Sequence, residues 1–67
     1  MTATERNTQI VVTLNRIEQM NDAIRQHRRR AQPDLLAIRQ YDEMKRRLTK
    51  ELFAMLAELE LDFQIAA

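Results

Sequence analysis

The chain has no cysteine, no glycine and no tryptophan, and only one proline and one histidine in 67 residues. Each absence closes off a class of explanation. Without cysteine there is neither a disulfide framework nor a thiolate to bind metal or attack a substrate. Without glycine there is no phosphate-cradling loop and no nucleophile elbow. The lone His27 has no Glu-x-x-His or His-x-x-x-His partner, so it lacks the spacing of a metal site. The longest apolar run, "LFAMLA" at 52–57, falls far short of the roughly 20 residues needed to cross a bilayer. The opening "MTATERNTQ" has no basic start, apolar middle or small-residue cleavage site of a secretory signal. These features lead us to expect a cytoplasmic, non-enzymatic protein with no cofactor, no metal and no membrane partner, held together by packing alone.

What is present is helical periodicity. Pro33 is the one helix breaker, and it pushes Gln32 out of the helical region. Asp34 behind it suits the start of a new helix, and Arg28, Arg29 and Arg30 suit the end of the preceding one. Thr2 and Glu5 have capping-box spacing. The expectation is therefore one all-α domain over 1–67: helix 1 at about 3–30, a turn at about 31–33 and helix 2 at about 34–64. On helix 1 the apolar stripe reads Ile10, Leu14, Ile17, Met20 and Ile24, closing on His27. Helix 2 offers Ile38, Tyr41, Met44, Leu48, Leu52, Met55, Leu59 and Phe63, whose spacing from Tyr41 onward resembles an eleven-residue repeat more than a seven-residue one. Folding back at the turn pairs Ile24 with Tyr41, Met20 with Met44, Ile17 with Leu48, Leu14 with Leu52, and Ile10 with Met55, an antiparallel helical hairpin with apolar residues on every rung.

The tail "ELELDFQI" at 58–65 alternates as a half-buried strand does, and a short strand over 59–65 competes with continued helix. On a helix, Leu61 falls away from the seam, toward Phe53, Ala54 and Ala57. Val11 and Val12 likewise lie off the main stripe of helix 1. A second apolar surface is thus expected from Val11, Val12, Phe53, Ala57, Leu61 and Ile65. Two helices enclose a single seam, and chains this short seldom bury enough surface to offset the entropy of ordering. A second copy, giving a four-helix bundle, is the simplest remedy.

Charge is unevenly distributed. Nine Lys/Arg face four acids between residues 22 and 50, a net charge of +5, whereas the rest of the chain has two against six, a net charge of −4. Arg28, Arg29 and Arg30, with Arg46 and Arg47, form the one candidate polyanion contact. No aromatics interleave for base stacking, so a solvated tip paired with Asp34, Asp42 and Glu43 is the preferred view. Glu58, Glu60 and Asp62 read as a solvated rim rather than an acid/base pair, because nothing encloses them. The function expected is a small interaction or oligomerisation module, most simply a homodimer. The alternatives are a nucleic-acid-binding hairpin dimer that uses the basic tip, and a small chaperone or adaptor that holds a helix of another protein.

Overall fold

A computed structural model describes the backbone of residues 1–66 and the side chains of residues 1–59. It contains two helices, α1 over Ala3–Arg28 and α2 over Leu35–Ala66, which pack antiparallel as a hairpin. Local chemistry sets the start of each. Thr2 is extended and its Oγ1 accepts a hydrogen bond from the Glu5 N–H at 3.1 Å, satisfying one of the orphan donors of the first turn. Asp34 plays the same part for α2: its Oδ1 accepts from the Ala37 N–H at 3.1 Å, and its carbonyl accepts from the Ile38 N–H at 3.1 Å. Asp34 is therefore a cap and not a first-turn residue. The helix begins one residue later than the sequence reading places it, with Pro33 outside it.

α1 ends at Arg28, two residues before the expected Arg30. Arg29 stays in the right-handed region, and its N–H reaches the Arg25 carbonyl at 3.1 Å. No described residue has a positive φ. This exit dispenses with the left-handed cap residue for which glycine is usually recruited, so the lack of glycine is no obstacle to the turn. The β-branched stretch of α1 is helical, and the Thr8 hydroxyl is spent on the Thr4 carbonyl at 3.0 Å. At the far end α2 runs through 59–65 as helix, so the alternation there marks no strand.

The seam differs in phase from the expected one. Its positions alternate by three and four residues: Arg6, Ile10, Thr13, Ile17, Met20, Ile24 and His27 on α1, and Ile38, Tyr41, Lys45, Leu48, Leu52, Met55 and Leu59 on α2. All are buried or half-buried. These positions recur at a seven-residue spacing and not at the eleven-residue one expected for α2. Two expected seam residues are displaced. Leu14 is 45% exposed while Thr13 beside it is 3% exposed, and Met44 is exposed while Lys45 is half-buried.

The reason lies in the neighbours one heptad away. Thr13 shares its side of the helix with Met20 and His27, whereas Leu14 shares its side with Asn21 and Arg28. Lys45 lies in line with Ile38, Leu52 and Leu59, and Met44 with Glu51 and Glu58. The majority on each side fixes the phase. Lys45 can follow because its methylene stem packs along the seam while its ammonium reaches water. Near the turn, His27 stacks on Tyr41 with ring centroids 5.5 Å apart, one turn closer to the loop than the expected Ile24–Tyr41 rung.

The hairpin is thin. Its Cα trace measures 53 × 18 × 15 Å, and its radius of gyration is 15.6 Å, where a compact chain of this length has about 11 Å. Among the described residues the apolar side chains closed off from solvent are Ile24 and Leu52, and none is completely buried. No helix is long and apolar enough to cross a membrane among the described residues.

Candidate association interface

Four of the exposed large apolar residues follow from the seam by one rule, while Met1, Leu35, Leu36 and Met44 lie elsewhere. Each residue of a helix is rotated by about 100° from the one before it. Because α1 and α2 run in opposite directions, stepping one residue forward from a seam position turns both helices toward the same side of the hairpin. Val11 follows Ile10, Leu14 follows Thr13, Phe53 follows Leu52 and Leu56 follows Met55. All four are exposed, Phe53 by 63%. They therefore share one side of the hairpin, just beyond its middle toward the open end.

The same step taken in the other half gives Glu18, Asn21, Arg25 and Arg28 on α1, and Arg39, Asp42, Arg46 and Thr49 on α2. Those are polar or charged without exception. The opposite side of the hairpin is mixed: one shallow groove there is lined by Met20, Met44 and Leu48 between Arg16, Gln19, Arg47 and Glu51, and another, at the open end, by Met1, Ala54 and Met55 among polar residues such as Glu5, Thr8 and Gln9.

Of the surface residues expected from the sequence, Val11 and Phe53 lie in this patch. Ala57 is exposed on the outer surface beside Phe53. Val12 is half-buried and falls on the other flank, since it precedes a seam residue instead of following one. Leu61 and Ile65 lie on α2 but outside the residues whose side chains are described. Leu14 and Leu56 complete the patch and were missed. Hydrophobicity alone places Leu14 on the seam, and its neighbours a heptad away, Asn21 and Arg28, are the signal that moves it out. Leu56 belongs to the patch because it follows Met55.

The turn end is a second candidate site. Arg28, Arg29 and Arg30 are exposed, and so is Arg39. Of the carboxylates expected to pair with the basic patch, Asp42 does so with Arg46 at 3.2 Å, Asp34 is taken up as the cap of α2, and Glu43 makes no ion pair among the described residues. Asp22 pairs with Arg25. None of Arg28, Arg29, Arg30 and Arg39 has a carboxylate partner among the described residues. Leu35 and Leu36 are exposed beside them. Arg46 and Arg47 stand apart from this cluster, roughly 15 Å further along α2 by the rise of a helix.

Elsewhere there is little chemistry to assemble. Among the described residues no three of His, Cys, Asp and Glu come together as a metal site could require. Arg6 is buried, and its guanidinium donates to Asn7 Oδ1 at 3.4 Å. His27 has its Nδ1 buried with no hydrogen-bond partner among the described residues, a local cost borne at the tip of the seam. The chain matches no known family model, no curated protein and no solved structure.

Proposed function

We propose that this chain is a non-enzymatic association module that binds a second copy of itself through Val11, Leu14, Phe53 and Leu56. The observation that carries the proposal is the confinement of these four exposed apolar side chains to one side of the hairpin, flanked by charge. The area is consistent with it. The hairpin exposes 5521 Å², whereas a compact monomer of this mass exposes about 4,500 Å². The excess of about 1,000 Å² is comparable to the roughly 800 Å² that each partner contributes to a standard protein interface. Two hairpins packed by this side form a four-helix bundle. A cytoplasmic setting belongs to the same proposal, and the lack of cysteine is compatible with it.

Sedimentation equilibrium at micromolar concentration tests this. The expected mass is twice 8.0 kDa, reverting to the monomer when Phe53 and Leu56 are both replaced by Asp. A folded, fully helical monomer of the unaltered chain would sink the homodimer and leave the patch to a helix of another protein.

A second reading is favoured by one specific observation, the absence of carboxylate partners for Arg28, Arg29, Arg30 and Arg39. In it the tip contacts a nucleic-acid backbone, with Arg46 and Arg47 further along the same helix. Binding of this kind weakens with salt by a log-log slope of about 0.7 to 0.9 per neutralised phosphate. It ranks second because the aromatics nearest the arginines, His27 and Tyr41, are half-buried against each other in the seam instead of standing free to stack on a base. Submicromolar RNA or DNA binding at about 0.15 M salt, lost in the Arg28→Gln/Arg30→Gln variant, would reverse that order.

A further inference from the structure

Building on the proposed self-association, we infer that the two copies pack antiparallel, patch on patch, with their basic tips at opposite ends of the dimer. A closed dimer of identical chains uses the same patch on both, related by a two-fold axis. Two placements of that axis bring the patches together. If it runs along the hairpin, the tips lie side by side. If it runs across the hairpin through the patch, the tips point in opposite directions.

The patch alone does not choose between these, but the rest of the face does. With tips together, Arg28 and Arg39 of one copy, which have no carboxylate partner among the described residues, are brought against the same two residues of the other, while Arg25 and Arg46 are already paired with Asp22 and Asp42. Glu18 and Asp42 are the acids on that face, and Asp42 already holds Arg46. Like charges brought face to face count against a complex. With tips apart, equal counts from the centre of the patch set Asn7 against Glu18 and Thr4 against Asn21, so no cation meets a cation along α1.

The long-range charge agrees. Residues 22–50 carry a net charge of +5 and the remainder −4. Each hairpin is thus basic toward its tip and acidic toward its open end, where α2 brings Glu58, Glu60 and Asp62 in sequence. In the same register, antiparallel packing sets residues 58–62 of each copy against 47–51 of the other and leaves Arg28 and Arg39 unopposed by any of residues 1–67, whereas parallel packing brings the basic tips together. The apolar patch supplies adhesion, and the charge polarity sets the direction.

The chain has no cysteine, so one introduced cysteine carries one spin label per copy. Labels at Arg29→Cys report the separation of the tips, and labels at Ala57→Cys, beside the patch, report that a dimer has formed. By the rise of a helix, Arg29 lies about 25 Å from the centre of the patch, so antiparallel packing sets the tip labels about 50 Å apart. The expected result is a short distance at Ala57→Cys, within about 25 Å, together with this long distance at Arg29→Cys. Short distances at both positions would overturn the antiparallel arrangement while leaving the dimer standing. No dipolar coupling at either position would mean that the chain is monomeric, which removes the self-association and this inference with it.

Discussion

The two halves of the hairpin use identical helical positions for different ends. Along the seam the half near the turn and the half near the open end are alike, each closing apolar or amphipathic side chains between the helices. One residue further round they diverge. The open half places Val11, Leu14, Phe53 and Leu56 there, and the half near the turn places Arg25, Arg28, Arg39 and Arg46. The seam that forms the hairpin and the surface proposed for association thus occupy adjacent registers of the same helices, which can be altered separately.

The largest effect should come from breaking the register that the halves share. Leu52→Asp puts a carboxylate at a seam position that is 9% exposed. The lost burial alone costs about 2 kcal/mol, and an unpaired buried charge adds to it. A chain this thin has no margin for that loss, so circular dichroism should show loss of helix at both ends of the hairpin. Retention of full helicity would mean that the seam is misassigned.

The next effect should be confined to the open half. Phe53 is the immediate neighbour of Leu52, yet Phe53→Asp should leave the seam intact and weaken self-association. In a symmetric dimer the substitution acts twice. At about 2 kcal/mol for each lost apolar contact, the dissociation constant should rise by at least about 100-fold. Because dimerisation stabilises the folded chain by an amount that grows with the logarithm of its concentration, the melting temperature of the variant should also lose its concentration dependence. Sedimentation and thermal melts at several concentrations would both read this out.

The contrast also explains what could be read from the sequence. The two helices and the hairpin were legible because Thr2, Pro33 and Asp34 mark ends by local hydrogen bonding and backbone restriction, which short stretches encode completely. The phase of the seam was harder. Choosing Leu14 over Thr13 is correct by hydrophobicity at one position and wrong by the company each keeps a heptad away. Lys45 was passed over for Met44 for the same reason, since a lysine stem counts as polar in a pattern but packs as a hydrocarbon. The alternation at 58–65 misled in the opposite direction: an apolar residue at every second position fits a strand, and it also fits a helix with apolar residues off its seam. Of the expected surface residues Val11 and Phe53 are exposed on one side of the hairpin, and Leu14 and Leu56 join them once the seam is fixed.

A smaller effect should come from the turn. Asp34→Ala removes the side-chain acceptor for the Ala37 N–H and should cost about 1 kcal/mol. The expected outcome is a melting temperature lower by about 4–8 °C, the shift typical of domains near this size. The dimer mass should be unchanged, because the cap touches neither register. A change in mass without a change in stability would mean that the tip itself takes part in the interface.

The smallest effect belongs to the arginines of the tip. Arg28 and Arg30 are exposed, and neither pairs with a carboxylate among the described residues. Their contribution to folding is limited to a favourable interaction with the negative end of α1, about 0.3–1 kcal/mol at low salt and less as ions screen it. Arg28→Gln with Arg30→Gln should therefore leave helix content and dimer mass where they were. The two tips lie far apart in an antiparallel dimer, so removing their charge should not tighten it. In a parallel dimer it should, because the substitution deletes four cations held side by side. Sedimentation of this variant at low salt thus checks two things together: that the charged half is dispensable for folding, and that its charge does not oppose the association of the apolar half.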